Sequence, residues 1–290
     1  MADWTKLGII AGGGDLPGRL VDAVRAIGKS VFVVRLAGIA DAEFPGVETK
    51  DIGIAEAGRL LAALREAGCD AVSLVGIVKR PNFAALRPDF RGATLIPRLV
   101  KAASKGDDAL LATLVGVFED EGFQVVGADE VAADLVARPG AFGDHQPSEG
   151  HFRDLRIAAG VVEALGPFDV GQGAVVCRGL VLAVEAAEGT DAMLSRCAGL
   201  PADIRGTFGA RCGVLAKLPK PDQERRVDLP TIGVETIERA AAAGLSGVFV
   251  MSGEALVIDR GATIAAANEH GLFIYGFTSD ELIAPGDEEA

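Results

Sequence analysis

The densest run of polar side chains lies between residues 217 and 233, where basic residues are interleaved with acids between an apolar strand and a helix. The residues there that could act on a substrate are Lys217, Gln223, Arg226 and Asp228. Cations of this kind can clamp phosphate oxygens, and an acid can hold Mg²⁺ or activate water. The run therefore indicates chemistry at phosphorus, although Asp228 could instead cap a helix that begins near Pro230.

A glycine-rich turn ends the first predicted strand and opens the first helix. It consists of Gly12, Gly13 and Gly14, with Leu16 and Pro17 directly behind them. Backbone N–H groups and the helix dipole favour an anion at such a place. It is not the dinucleotide fingerprint, because Pro17 replaces the last glycine and the second strand ends in Arg35 rather than an acid. The turn predicts a nucleotide or phosphate site other than one for NAD, with a tight strand-to-helix turn as the alternative.

A second polar cluster stands at the end of a strand and the start of a helix in the other half of the chain. Its members are Glu185, Glu188, Gly189, Thr190 and Asp191. Thr190 can cap the helix while its neighbours bind a phosphate or a metal ion. Capping alone would explain the cluster equally well.

Residues 79–105 contain seven basic residues against one acid, a local excess of six positive charges. Lys79 and Arg80 leave the carboxyl end of a predicted strand, which is where ligands bind in open α/β sheets. The segment predicts an anionic partner, although a solvated helix surface would have the same composition.

Composition excludes several other classes of function. The net charge of −13 argues against a general nucleic-acid binder. Three histidines, His145, His151 and His270, support neither a histidine-rich zinc site nor a Ser-His-Asp triad. The four cysteines show no CxxC spacing and are expected to be reduced and structural. What remains is carboxylate, lysine and arginine chemistry with a hard divalent ion.

The elements that must position these residues follow from hydrophobic periodicity. In the first half, strands are predicted at 6–11, 30–36, 71–78 and 123–127, and helices at 17–28, 55–68, 93–104, 107–121 and 130–137. This alternation predicts an open, mostly parallel, doubly wound sheet. In the second half, helices are predicted at 151–165, from 190, at 231–243 and at 262–270. Two strand pairs are predicted, one at 174–177 and 180–185 and the other at 247–251 and 255–258. Single strands are predicted at 212–218 and 272–277.

The chain length and a change in composition predict two domains. Residues 138–150 are rich in proline, glycine and polar side chains and are predicted to be a linker between domains 1–137 and 151–290. No apolar stretch reaches the ~18 residues that span a bilayer, and the N-terminus lacks a signal-peptide pattern. We therefore expect a cytoplasmic protein that does not cross a membrane.

Five segments, taken together and in order, resemble the LpxI family of UDP-2,3-diacylglucosamine pyrophosphatases. They are residues 10–17, 76–82, 106–108, 184–191 and 217–233. The resemblance implies an α/β protein with a Rossmann-like N-terminal domain, a distinct α/β C-terminal domain and the ligand between the two. It also implies hydrolysis of UDP-2,3-diacylglucosamine to UMP and 2,3-diacylglucosamine 1-phosphate (lipid X) in lipid A biosynthesis, with Mg²⁺ or another divalent metal such as Mn²⁺.

Carried over to this sequence, the resemblance makes Asp228 the essential acid, which positions the metal or the attacking water. Lys217, Gln223 and Arg226 would assist it, while residues 12–14 and 188–191 would hold nucleotide or phosphate. Glu224 stands where the family often has aspartate, so it receives no ligand role.

The resemblance also suggests a homodimer, and the membrane-resident substrate suggests peripheral contact of residues 79–105 with anionic lipid at the inner membrane. No nucleic-acid partner is expected. Two alternatives stay open: a nucleotide-sugar transferase or epimerase, and a regulatory module that binds a nucleotide-sugar or lipid phosphate without hydrolysis.

Overall fold

The structure, a computed structural model, describes residues 4–221 and 223–283. Two units are present, and we call them the first and the second unit. The first unit comprises residues 4–134 and 224–228, and the second comprises 135–221, 223 and 229–283. Residues 224–228 thus belong to the first unit although the chain on either side of them belongs to the second.

The first unit is built on a parallel five-stranded sheet with helices between the strands. Its strands are β1 (Lys6–Ala11), β2 (Ser30–Leu36), β3 (Glu48–Ile52), β4 (Ala71–Val75) and β5 (Gln124–Val125). Its helices are α1 (Leu16–Ala26), α2 (Ala57–Glu66), α3 (Phe90–Ala103), α4 (Asp107–Asp120) and α5 (Ala128–Val131). The strand order is β3-β2-β1-β4-β5, which confirms the predicted doubly wound sheet.

The second unit contains a mixed six-stranded sheet. Its strands are β6 (Gly140–Ala141), β7 (Gly173–Cys177), β8 (Leu180–Val184), β9 (Val214–Lys217), β10 (Thr231–Ile232), β11 (Gly247–Met251), β12 (Leu256–Val257) and β13 (Phe273–Phe277). Its helices are α6 (Glu149–Leu165), α7 (Gly189–Ala198), α8 (Val234–Ala242) and α9 (Arg260–His270). The large sheet has the order β6-β13-β11-β9-β7-β8, and β10 pairs with β12 in a separate ribbon.

Central strands of both large sheets are buried as their sequences require. In β1 every residue after Lys6 is buried, and all four residues of β9 are buried. Leu215 packs into one apolar cluster and its neighbour Ala216 into another, as expected for alternating side chains of a strand with both faces covered.

The second predicted strand pair is wrong. Strands β11 and β12 do not pair with each other, because β11 lies between β9 and β13 in parallel register and β12 pairs with β10. The first predicted hairpin, β7 with β8, is present and antiparallel. Strand β3 was not predicted, because its sequence Glu-Thr-Lys-Asp-Ile carries only one buried apolar residue.

The segment predicted as a linker is part of the second unit. Gly140 and Ala141 form β6, which pairs with β13, and the backbone N–H of Ala137 donates to the carbonyl oxygen of Ala255 at 2.8 Å. The second unit therefore begins at residue 135, inside the predicted first domain 1–137. Glycine and proline content suggested a linker here, whereas backbone hydrogen bonding incorporates the segment into a sheet.

No helix among the described residues is long and apolar enough to cross a membrane.

Gly12 marks a close approach of two strand ends. Its N–H donates to the carbonyl oxygen of Val75 at 2.8 Å, and a Cβ atom at this position would lie 2.8 Å from the carbonyl oxygen of Ile77. Any side chain here must therefore push the end of β1 away from the loop after β4. Gly18, inside α1, has no such neighbour within 4 Å.

We predict that Gly12→Ala lowers the free energy of unfolding by roughly 1–3 kcal/mol, because the added Cβ atom would clash with the backbone at Ile77. The matched variant Gly18→Ala should raise it by about 0.5–1 kcal/mol, since alanine is the better helix former. Urea unfolding of both variants measures the difference. Equal stabilities of the two variants would contradict the close approach.

Candidate functional site

The buried lysine at the end of β9 is the best-defined polar centre of the second unit. Lys217 is 5% exposed, and its Nζ donates to Thr190 Oγ1 at 2.7 Å and to the Thr231 carbonyl oxygen at 3.3 Å. Thr190 Oγ1 in turn donates to Glu185 Oε1 at 2.7 Å. The structure thus brings together two residues that the sequence assigned to separate clusters, Lys217 and Thr190.

Glu185 supplies the negative charge that this lysine requires. It is 7% exposed, and its Oε2 is buried without a hydrogen-bond partner among the described residues. A Cβ atom at position 173 would lie 2.6 Å from that oxygen, so glycine is required opposite it. A buried ammonium and a buried carboxylate are costly unless paired, and the Thr190 hydroxyl links the two. The unpartnered oxygen leaves this centre able to accept one more donor.

Thr190 does not cap the helix that it was predicted to cap. Helix α7 begins at Gly189 with Glu188 at its N-cap, and the Thr190 side chain turns to Lys217 and Glu185 instead. The two acids beside it contact arginines. Glu188 Oε1 accepts from Arg196 at 2.6 Å, and Asp191 Oδ1 lies 3.5 Å from Arg239 Nε.

The pKa of Glu188 is lowered, first by a hydrogen bond from its own backbone N–H and then by the Arg196 guanidinium. It therefore carries a negative charge at neutral pH, and Arg196 neutralises it. Of the five residues in the predicted cluster, Glu185 and Thr190 contact each other, whereas Glu188 and Asp191 pair with arginines, so the cluster does not act as one group.

A second buried pair supports the turn after β9. Lys220 Nζ donates to Asp169 Oδ1, and both side chains are largely buried. Gln223 Oε1 accepts from the Lys220 backbone N–H at 2.9 Å, while its Nε2 donates to Gln172 Oε1 at 2.9 Å. The Gln223 amide, predicted to assist catalysis, thus holds the backbone of the turn in this structure.

Arg226 lies in the part of the polar run that belongs to the first unit. Its guanidinium donates to Glu224 Oε1 and Oε2 at 2.9 and 2.8 Å and to Glu119 Oε1 at 2.7 Å. The Arg226 hydrogen bonds lower the pKa of Glu224, and the same contacts raise that of Arg226. Glu224 thereby gains a clear role as partner of Arg226, and two carboxylates already neutralise this cation.

Asp228 closes the same segment. Its backbone N–H donates to the Glu224 carbonyl oxygen at 3.1 Å, and the residue is half-buried. No helix begins near Pro230, because residues 231–232 form β10 and α8 starts at Val234 with Gly233 as its N-cap. The helix predicted over 231–243 begins three residues later, at Val234, and ends one residue earlier, at Ala242. Helix capping by Asp228, the alternative to a chemical role, is therefore absent.

The glycine turn uses its N–H groups within the protein. Those of Gly12 and Gly13 donate to the carbonyl oxygens of Val75 and Ile77, and that of Gly14 donates to Asp41 Oδ1 at 3.0 Å. Leu16 and Pro17 begin α1 as predicted. The expected row of bare N–H groups is thus occupied, and a carboxylate stands where an anion would bind.

The basic segment is partly neutralised as well. Arg80 donates to the Ala103 carbonyl oxygen and lies 3.4 Å from Asp107 Oδ1, while Arg91 and Arg98 pair with Glu121 and Asp120. The cations of this segment that form no ion pair among the described residues are Lys79, Arg87, Lys101 and Lys105, all exposed.

The described residues contain no cage of protein side chains for a metal ion. Within residues 4–221 and 223–283, no group of three or more histidine, cysteine, aspartate or glutamate side chains could hold a metal. Mg²⁺ is commonly bound through one or two carboxylates together with substrate phosphates, so it does not require a cage of protein ligands. A single carboxylate such as that of Asp228 suits this kind of binding.

Sequence reasoning missed Asp169 and Glu119 as charge partners. Lys220 stood in the predicted polar run, but its burial cannot be read from composition. Asp169 lies 51 positions away from it, and Glu119 lies 107 positions from Arg226. Glu119 lies in the last turn of α4 and Asp169 directly follows a short 3-10 helix, places where exposed charge is ordinary, so no local signal distinguished them.

Comparison with known proteins gives matches over both units. Residues 6–135 match the family described as LpxI N-terminal domain, and residues 138–275 match that described as LpxI C-terminal domain. The chain is also 52% identical over 276 residues to UDP-2,3-diacylglucosamine pyrophosphatase LpxI of Caulobacter vibrioides. That similarity covers 95% of this chain and 99% of the relative.

We predict that Thr190→Val lowers the free energy of unfolding by about 1–3 kcal/mol, because the buried ammonium of Lys217 and the carboxylate of Glu185 both lose a hydrogen-bond partner. Thr190→Ser keeps the hydroxyl and should cost less than about 1 kcal/mol for the missing methyl group. Chemical denaturation distinguishes the two. A valine variant as stable as the serine variant would show that the hydroxyl link is unimportant.

Proposed function

Because the chain belongs to the LpxI family, we propose that it hydrolyses the pyrophosphate bond of UDP-2,3-diacylglucosamine, releasing UMP and 2,3-diacylglucosamine 1-phosphate (lipid X) in lipid A biosynthesis. The single observation that carries the proposal is the 52% identity to a pyrophosphatase over nearly the full length of both proteins. The protein is accordingly a hydrolase that acts on a phosphorus-containing anhydride.

We propose Asp228 as the acid that acts on the attacking water. Asp228 does not cap a helix, which supports a chemical role for it. A half-buried carboxylate can orient water and accept its proton at an Oδ atom. The water oxygen forms a bond to the phosphorus nearer the sugar, and the bond from that phosphorus to the bridging oxygen breaks. UMP leaves with the bridging oxygen.

Lys217 is proposed to neutralise charge on the diphosphate. An ammonium has three N–H donors, and two of them contact Thr190 and Thr231. The third is available for a ligand oxygen. Because Glu185 and Thr190 fix the ammonium before the ligand arrives, little rearrangement is needed as negative charge develops.

Further substrate contacts stay proposals carried by the resemblance. Gln223 and Arg226 are proposed to assist Asp228; in the structure the Gln223 side chain accepts from the Lys220 backbone, and the Arg226 guanidinium donates to Glu224. The residues proposed for the nucleotide and phosphate groups are Gly12, Gly13, Gly14, Leu16, Pro17, Lys79, Arg80, Glu188, Gly189, Thr190 and Asp191. At the glycine turn the contribution would be close approach of the backbone, since its N–H groups already have acceptors.

A divalent cation, Mg²⁺ or Mn²⁺, is part of the proposal. Asp228 would hold it together with phosphate oxygens, since Mg²⁺ is commonly bound through one or two carboxylates and substrate phosphates. When bound, such an ion supplies positive charge against the diphosphate.

We predict that Asp228→Asn lowers the turnover number for UMP release by at least about 100-fold, because the amide cannot accept a proton from water. The fold should remain, as judged by circular dichroism and unfolding. The exposed acid Asp134 of the same unit gives the matched control Asp134→Asn, which should keep full turnover. Release by the parent protein should require Mg²⁺ and stop with EDTA.

The outcome also separates the alternatives. A protein that binds UDP-2,3-diacylglucosamine but releases no UMP is a binding module, and release only with an acceptor or a nicotinamide indicates a transferase or epimerase. Full turnover of the Asp228→Asn variant would contradict the assigned acid while leaving the hydrolase in place.

We also propose that residues 79–105 contact anionic lipid at the cytoplasmic face of the inner membrane. Four cations of this segment, which form no ion pair within the described part of the chain, are exposed, as are the side chains of Phe90 (89%) and, just before the segment, Ile77 (68%). Basic residues beside exposed apolar ones favour an anionic membrane surface by about 1 kcal/mol for each cation. The homodimer that the resemblance suggests stays a proposal.

We predict that replacing Arg87 and Lys101 by glutamate abolishes flotation with vesicles of anionic phospholipid. The control, Arg138→Glu with Arg153→Glu, makes the same change of charge at exposed positions of the second unit and should float as the parent does. Flotation should weaken as salt rises, because surface charges are screened. Equal flotation of both double variants would exclude this surface.

A further inference from the structure

Two cysteines of the second unit lie side by side. Cys177 is the last residue of β7, and Cys212 stands two positions before β9, which pairs with β7 in antiparallel register. Their Sγ atoms are 2.8 Å apart. The other two, Cys69 and Cys197, are buried. Nothing in the hydrolysis of a pyrophosphate requires a pair of thiols.

The backbone around the pair is held in place by specific contacts. Gly213 has φ +81°, and a Cβ atom there would lie 2.7 Å from the Cβ of Cys177, so only glycine allows this approach. After Cys177 the chain turns through Arg178 and Gly179, whose N–H groups donate to the buried carboxylate of Asp154 at 3.0 and 2.8 Å. Cys177 thus lies on a strand, and Cys212 is held beside it by its backbone N–H, which donates to the Gly244 carbonyl oxygen at 3.0 Å.

Cys212 opens into a surface pocket, whereas Cys177 does not. The pocket has a volume of about 470 Å³, and its lining includes Cys212, Arg153 and Arg178. Cys177 is 1% exposed, while Cys212 is half-buried. A small oxidant can therefore reach one thiol from solvent and finds the second directly behind it.

We propose that Cys177 and Cys212 are a reversible redox pair, which a peroxide entering this pocket converts into a disulfide. The thiolate of Cys212 attacks one oxygen of hydrogen peroxide, so that an S–O bond forms, the O–O bond breaks and the departing hydroxide takes up a proton as water. The Cys177 sulfur then attacks the sulfenic sulfur of Cys212. The S–S bond forms, the S–O bond breaks, and a second water leaves.

The order of these steps follows from the two environments. Burial, followed by the neighbouring thiol, raises the pKa of Cys177 to about 12, so this residue stays protonated until the sulfenic acid forms beside it. Burial likewise raises the pKa of Cys69 to about 11 and raises that of Cys197. Both are slow to react for the same reason, and neither has a second sulfur to complete a disulfide.

The test treats the reduced full-length protein with a small excess of hydrogen peroxide and counts free thiols after denaturation. We expect the count to fall from four to two, the mass to fall by two hydrogens, and peptide mapping without reductant to join Cys177 to Cys212. Dithiothreitol should restore all four thiols. This measurement uses the unaltered chain, so it does not depend on the folding of a variant.

Matched serine variants localise the reaction. Cys69→Ser and Cys197→Ser should still lose two thiols, whereas Cys177→Ser and Cys212→Ser should form no intramolecular disulfide. The proposal is overturned if peroxide leaves four thiols intact, if Cys69 or Cys197 is consumed first, or if Cys212 advances to sulfinic acid without joining Cys177. UMP release is a separate measurement, so failure here would leave the proposed hydrolysis untouched.

Discussion

A charged lysine at the end of a buried strand is the constraint around which the second unit is arranged. Strand β9 lies between β7 and β11, and its apolar residues fill the cores on both faces before the strand ends in Lys217. An ammonium at such a depth is tolerated only with partners. Thr190 and Glu185 meet that need, Gly173 leaves room for the carboxylate, and α7 begins where it can present the hydroxyl. The buried ammonium is also the donor that we propose for phosphate oxygens.

The first unit meets a comparable constraint with glycine. The ends of β1 and β4 approach so closely that the backbones of Gly12 and Gly13 hydrogen-bond to the chain at Val75 and Ile77. The same glycines that suggested a phosphate cradle are therefore required for packing. The N–H groups of Gly12 and Gly13 hydrogen-bond within the fold, and the Asp41 carboxylate accepts from the N–H of Gly14. A glycine-rich turn thus has to be judged by where its donors go, not only by its composition.

Local periodicity predicted four of the five strands of the first unit, because helices alternate with buried strands and the crossover rule fixes the sheet, but it missed the mostly polar β3. It failed in the second unit where pairing is non-local: residues 247–258 look like a hairpin, yet β11 pairs with β9 and β13 instead. At the site, the types of Lys217 and Thr190 could be read from the sequence, whereas their contact could not, since 27 positions separate them. The sulfur pair was missed for the same reason, because Cys177 and Cys212 show no motif spacing and meet only through the register of β7 with β9.

In the proposed reaction, water attacks the phosphorus nearer the sugar and UMP is the leaving group. Hydrolysis of UDP-2,3-diacylglucosamine by the purified protein in water enriched in oxygen-18, followed by mass spectrometry of both products, tests this most directly. We expect one oxygen-18 atom in 2,3-diacylglucosamine 1-phosphate and none in UMP. Label in UMP would place the attack on the other phosphorus, and an intact substrate would contradict the hydrolase itself.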